Sequence, residues 1–382
     1  MRLMLVAGEA SGDTHGAALI AGLQAQHPEA DLFGVGGPKM FRAGLRLYAT
    51  LDDLQVHGLV EVMRHLPRLY GLLNTFKEAL EQECPDALVC IDYPGFNLKL
   101  AAHAQTLGIP VVFFNSPQIW AWRKRRLQKI RKVVDHMLVL FPFEETIYQE
   151  AGVGVTWVGH PLVDEAGAAE DGSCLREELG LAKTPVLTLA PGSRPSELSR
   201  HLPVLQATLP LLRSHVPGLQ VLLPIADTLD AEGIRSTLRD AAVPIHLLHG
   251  RFSEAIRACD AAIVASGTAS LQTALALTPN VLIYRVAPLT YWLARKLAQV
   301  QHMGMANVLA QREIIPELLQ DDCTPTRIAA AITPLLCDPE VRSRMVADLE
   351  PIRQQLGEPG AYVRAVQALL DFLQRRLCRE SR

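Results

Sequence analysis

Asp92 directly follows an apolar run of strand length, Ala87–Ile91, and precedes the turn Tyr93-Pro94-Gly95. In a parallel α/β fold a carboxylate at that point faces the mouth of a cleft, where a general base takes a proton. The alternative is a turn aspartate bonded to its own backbone. Two further turns have the composition of anion sites. Pro191-Gly192-Ser193-Arg194 joins a strand to a helix, and an arginine there can fork two hydrogen bonds onto a phosphate. Its competing reading is a surface arginine paired with Glu197. Ser266-Gly267-Thr268 offers hydroxyls and backbone N–H groups at a second helix start, suited to a diphosphate without a metal, or simply to an N-cap. A fourth turn, Gly8-Glu9-Ala10-Ser11-Gly12-Asp13, follows the first strand and opens a helix. Its glycines permit tight turning and close approach of a ligand, or only a structural turn.

Three weaker features remain. Arg123–Lys132 carries seven basic residues in ten, just after Trp120 and Trp122. This is a solvated helix face, or a surface for anionic lipid or a substrate phosphate. Leu59, Met63, Leu66, Tyr70, Leu73 and Phe76 form a stripe at helical spacing, beside Arg64, His65 and Arg68. The stripe is core, or it rests on a bilayer through Leu66, Leu69 and Leu73. The twelve histidines form no H-E-x-x-H, and no metal site is expected.

The elements that position these residues alternate strand and helix. Apolar runs at Leu3–Ala7, Ala87–Ile91, Val111–Phe114 and His136–Leu140 are each followed by a turn and a helical stretch. A break near Gly159–Gly172, with a linker-like Glu165–Ser173, precedes a second series: Val186–Ala190, Gln220–Leu223, Ala261–Ala265 and Val281–Tyr284. The expected fold class is α/β, with two doubly wound Rossmann-like domains facing across a cleft. Expected limits are 1–165 for the first domain, 175–345 for the second, and 346–382 for helices packing back on the first.

With 382 residues, at about 150 per domain, two domains is the expectation. Hydrophobic residues are 49% and charged residues 20%, which excludes a disordered chain. A net charge of −3 argues against a nucleic-acid binder relying on bulk positive field. Seven cysteines without C-x-x-C fit a reduced, cytoplasmic compartment. The longest uncharged run, Ala261–Tyr284, is interrupted by polar, glycine and proline residues and reads as strand, loop, helix and strand, with no membrane span.

In number and order these motifs resemble the lipid-A-disaccharide synthase family of GT-B-type glycosyltransferases. The resemblance also covers Gly34-Val35-Gly36-Gly37, Asp92-x-Pro94-x-Phe96-Asn97, Ser116-Pro117 with Trp120-Ala121-Trp122-Arg123, Gly159-His160-Pro161, Tyr284-Arg285, Asn307 and Pro316-Glu317-Leu318-Leu319-Gln320. It implies a cofactor-free, inverting transfer joining UDP-2,3-diacylglucosamine to 2,3-diacylglucosamine 1-phosphate, giving a β(1→6) disaccharide and UDP. Asp92 is then the base and Arg194 the cation on the departing diphosphate. Gly192, Ser193, Ser266, Gly267, Thr268, Gln272, Asn307 and Glu317 bind the donor. Gly8, Glu9, Ser11, Gly12 and Asp13 form the acceptor-side loop. Acylated substrates imply peripheral association with the cytoplasmic face of an inner membrane through Leu66, Leu69, Leu73, Trp120, Trp122 and Arg123. Two positions depart from the family pattern, Gly95 and Gln272, where carboxylates are usual. The rival readings are another UDP-sugar transferase or epimerase of this fold, and a non-catalytic membrane-binding protein.

Overall fold

The computed structural model describes residues 1–51, 59–122, 124–168, 172–181, 183–226, 229–239, 241–287, 291 and 301–380. Within its helices, the side chains of 59–67, 69, 121, 122, 124, 125, 168, 377, 379 and 380 are not described. The chain divides into two units, Met1–Pro161 with Glu358–Arg382, and Leu162–Gly357.

The first unit is built on β1 (Arg2–Ala7), β2 (Asp31–Gly36), β3 (Arg46–Thr50), β4 (Ala87–Ile91), β5 (Val111–Phe114), β6 (His136–Val139) and β7 (Gly154–Trp157). The strands lie in the order β3-β2-β1-β4-β5-β6-β7, and every pair is parallel. All five residues of β4 and all four of β5 are buried, as expected for strands covered by helices on both faces. The order reverses between β1 and β4. Loops leaving those two strands diverge to opposite faces of the sheet and open a crevice at their carboxyl ends.

The second unit repeats the plan with β8 (Val186–Ala190), β9 (Gln220–Ile225), β10 (Ile245–His249), β11 (Ala261–Ala265), β12 (Asn280–Tyr284) and β13 (Glu317–Leu319). Its order is β10-β9-β8-β11-β12-β13, again wholly parallel. The reversal falls between β8 and β11. The turns Gly192–Arg194 and Ser266–Thr268 therefore leave its switch point.

Three expectations change. Glu165 lies in the helix Pro161–Ala168 rather than in a linker, and the first boundary falls at Pro161. The limit expected at 345 cuts the helix Pro339–Gln355, which stays with the second unit because Leu349 and Ile352 are buried and Met345 packs against the second core. Only Glu358–Arg382 returns to the first unit. There the helix Ala361–Glu380 packs on the helix Ala10–Gln26, Gly22 leaving room for Val366. Arg364 Nε donates to the Val158 carbonyl at 2.8 Å.

Leu73, expected against lipid, is 5% exposed. Its helix, Leu59–Glu83, packs on the helix Pro94–Thr106, and Phe76 meets Phe96 edge-on at 5.8 Å. At Leu73 and Phe76 the stripe serves the core, because a helix covering a parallel sheet must bury one face, while Tyr70 is exposed. The side chains of Leu66, Leu69 and Trp122, and Arg123 as a whole, lie outside the described residues. Among the described residues no helix is long and apolar enough to cross a membrane.

Candidate active site

Asp92 closes β4 in the left-handed region at φ 52°, followed by Tyr93 at 48°. Aspartate tolerates that conformation, whereas a tyrosine there is strained by roughly 1–3 kcal/mol. Asn97, fully buried, holds the strained turn with Nδ2 donating to the Asp92 carbonyl at 2.7 Å and lying 3.2 and 3.3 Å from the carbonyls of Val6 and Ile91. The Asp92 carboxylate accepts from Asn115 Nδ2 at 2.7 Å and from Ser11 Oγ at 3.5 Å. Burial pushes its pKa up to about 6, and the nearby Glu9 charge adds to the rise, while the Asn115 and Ser11 hydrogen bonds oppose it. The group is thus a carboxylate at neutral pH with a basicity well above that of an ordinary aspartate.

The Gly8–Asp13 turn divides into two parts. Glu9 and Ser11 are exposed at the switch point beside Asp92. Gly8 and Gly12 are buried: a Cβ on Gly8 would collide with the Tyr93 ring, and one on Gly12 would press on Ala7. The close approach these glycines allow is that of the protein's own chain. Asp13 is also removed from the acceptor-side loop, being 4% exposed. Its Oδ1 accepts from the Gly37 and Met40 amides at 2.8 and 3.0 Å, and its Oδ2 from Lys39 N at 3.0 Å. It fixes the turn after β2.

One helical turn beyond Ser11, His15 is held by Tyr362, with Nδ1 2.8 Å from the hydroxyl, and both rings lie against Phe114. Burial lowers the His15 pKa to about 4, so the ring is neutral. On the other side of the Asn115 turn, Ser116 Oγ lies 2.8 Å from Tyr148 OH. Trp120 Nε1 donates to Glu144 Oε1 at 3.3 Å and its ring meets Phe143 edge-on. Trp120 is therefore anchored to a buried carboxyl, which burial pushes up to about 7.

In the second unit Gly192 needs its φ of 119°, and the helix Pro195–His215 starts at Arg194. Glu197 Oε2 accepts from the Ser193 and Arg194 amides at 3.0 and 3.3 Å. Those N–H groups, expected to meet a phosphate, are committed to a capping carboxylate. The Arg194 side chain is 71% exposed and touches Glu197 by a single contact of 3.4 Å. A contact that weak in water leaves the guanidinium ready to exchange for a stronger anion. Beside it Gly267, at φ 148°, and Thr268 are exposed and Ser266 is half-buried. Gly267 is the N-cap of the helix Thr268–Leu275 and has no side chain with which to cap it.

Three residues expected on the donor are committed elsewhere. Asn307, fully buried, accepts at Oδ1 from the Ile314 and Ile315 amides at 2.8 and 2.9 Å. Its Nδ2 donates to the Ile315 carbonyl at 2.8 Å and to Glu317 Oε1 at 2.7 Å. All four of its hydrogen-bonding positions are filled. Glu317 also takes the Met303 and Gly304 amides, each at 2.9 Å. Together they clasp the segment entering β13. Gln272 Nε2 donates to Ser253 Oγ at 3.1 Å and lies 3.4 Å from Glu165, against the helices Phe252–Ala258 and Pro161–Ala168. Sequence shows only that such amides and carboxylates can donate or accept, so these contacts could not be told from ligand contacts there.

Two residues escaped the sequence reading. Asn115 ends β5 next to Asp92, and its signal was a polar residue closing an apolar strand. His201 lies fully buried on the helix Pro195–His215 among Leu198, Leu202 and Leu205, a lone polar residue on an apolar face.

The model of a family described as lipid-A-disaccharide synthetase matches residues 3–372. The chain belongs to this family. It is 42% identical over 373 residues to the lipid-A-disaccharide synthase of Myxococcus xanthus, covering 97% of both chains. It is 41% identical over 375 residues to that of Trichlorobacter lovleyi, covering 98% of both. Among solved structures it resembles UDP-GlcNAc 2-epimerase from Neisseria meningitidis bound to UDP-GlcNAc, with a TM-score of 0.66, 12% identity, and 97% and 100% of the chains covered. MurG from Acinetobacter baumannii gives 0.59, 18%, and 98% and 99%. These structural likenesses show the fold alone, that of GT-B-type glycosyltransferases and epimerases. Family membership, from sequence, separates this chain from the epimerases that share its fold.

Proposed function

We propose that the chain joins UDP-2,3-diacylglucosamine to 2,3-diacylglucosamine 1-phosphate with inversion, giving a β(1→6) disaccharide 1-phosphate and UDP. The observation that carries the assignment of roles is the Asp92 carboxylate. It sits at the first unit's switch point with raised basicity, held by Asn115. The acceptor 6-hydroxyl gives its proton to Asp92 as its oxygen bonds the anomeric carbon of the donor. The carbon–oxygen bond to the diphosphate breaks, and UDP leaves with the electron pair. Arg194 and the helix start at Gly267–Thr268 carry the developing negative charge.

Acyl chains on both substrates favour a protein resting on a membrane surface. The support is the helix Lys124–Val133, where Lys129, Arg131 and Lys132 are exposed while Ile130 and Val133 are buried. Incubation with both acylated sugars, following UDP release and disaccharide together, tests the reading. Release of UDP without disaccharide, or epimerised donor, would replace it by a relative of the same fold.

A further inference from the structure

His201 joins two loops that the chain brings together from far apart. Its Nδ1 lies 2.6 Å from the Pro191 carbonyl, which only accepts, and the Arg285 amide, which only donates, lies 2.9 Å from its Nε2. The two partners fix the ring as the neutral Nδ1–H tautomer, donor at one nitrogen and acceptor at the other. Burial lowers the ring's pKa, with Arg285 and Arg200 acting in the same direction and Glu197 and the Pro191 carbonyl against. The Tyr284 ring packs at 6.3 Å. From the far side, Gln320 reads the next residue: its Oε1 accepts from Val286 N at 3.1 Å and its Nε2 donates to the Val286 carbonyl at 2.8 Å. The exit of β12 is therefore gripped from two directions, and His201 ties it to the loop that carries Arg194.

We propose that His201 is a positioning residue for the donor, setting the Gly192–Arg194 loop and the Tyr284–Val286 segment in one fixed register so that Arg194 and Arg285 meet a single diphosphate. This rests on the reading that the second unit holds the UDP-sugar. The ring touches no reacting atom; it acts through the backbone on either side. Leucine fills a similar volume and makes neither bond. Glutamine can place an amide oxygen near the Nε2 position to accept from Arg285.

The test is calorimetric UDP binding with steady-state kinetics on the full-length wild type, His201→Leu, His201→Asn and His201→Gln, each checked for folding by circular dichroism. The proposal expects His201→Leu to weaken UDP binding and raise the donor KM about tenfold, with the acceptor KM unchanged, and His201→Gln to recover part of the loss. A purely structural histidine would lower Tm and leave UDP Kd as in the wild type, which overturns the proposal. Should His201→Leu fail to fold, His201→Asn carries the test, because its shorter amide does not reach the Arg285 N–H; wild-type UDP affinity in that variant overturns the proposal equally. A wild type that binds no UDP overturns the donor reading itself, and the inference with it.

Discussion

Asn115 donates from Nδ2 to Asp92 Oδ1 across 2.7 Å, from the end of β5 to the end of its neighbour β4. Both residues sit in the left-handed region, at φ 63° and 52°, a conformation that asparagine and aspartate adopt more readily than other side-chain-bearing residues. The pair fixes the orientation of the carboxylate, and it opposes the rise in pKa that burial causes.

Asp92→Asn keeps the shape and the backbone conformation and removes the base. Turnover is expected to fall by about 10²–10⁴ while UDP binding stays intact. Loss of UDP binding as well would assign Asp92 a structural task.

The pH profile of kcat/KM should show an acid limb near the Asp92 value of about 6, because the base works only when ionised. Asn115→Gly removes the hydrogen bond without straining φ. It withdraws an influence that lowers the pKa, so the limb should move to higher pH, by about one unit or less. A limb that stays in place, or moves down, contradicts the assignment. The stability sign is separate: a carboxyl whose folded pKa is raised stabilises the fold fully below its unfolded value near 4, and this contribution is lost as pH rises through about 6. Asp92→Asn should accordingly gain Tm relative to wild type at pH 8 more than at pH 4.

Arg194→Ala should lower turnover about 10²–10³-fold, the cost of removing one charge from a developing diphosphate. Arg194→Lys should restore only part, since an ammonium lacks the guanidinium's paired donors. Near-normal turnover of the alanine variant at saturating substrate would place the cation elsewhere.

Asn307→Ala should cost about 2–4 kcal/mol in a urea melt, because the amides of Ile314 and Ile315 lose their acceptor in a buried setting. UDP affinity of the folded variant should remain within a few-fold of wild type. An unchanged melt with abolished UDP binding would return Asn307 to the ligand.

Replacing Lys129, Arg131 and Lys132 together by Gln should weaken binding to vesicles rich in anionic lipid by roughly 100-fold, at about 1 kcal/mol for each charge near the surface. Circular dichroism should be unchanged because all three are exposed. Vesicle binding equal to wild type would exclude this helix as the contact.

The sequence alone determined the strands that are buried on both faces, because a continuous apolar run has one stable destination in an α/β fold: Ala87–Ile91, Val111–Phe114, Val186–Ala190 and Ala261–Ala265 occupy the positions read from their hydrophobicity. It also placed Asp92, Arg194 and Ser266–Thr268 at strand ends, since a turn rich in glycine or proline after such a run ends the strand there. It did not reveal β2, β3, β7 or β13. Glycines interrupt β2, while β3 and β7 are partly exposed edge strands and β13 has only three residues, too few for a pattern. Tertiary structure alone decided which polar residues remain available. Asp13 and Asn307 look like ligands in sequence, yet Asp13 takes backbone amides from 24 to 27 positions away, and Asn307 bonds backbone groups 7 to 8 positions away and the Glu317 carboxylate 10 away. Asn115 and His201 carried no motif, yet they hold Asp92 and the Arg194 loop. The physical reason is that a hydrogen bond depends on distance in space. A linear sequence states which groups can donate or accept, and only the folded chain fixes which of them are already paired.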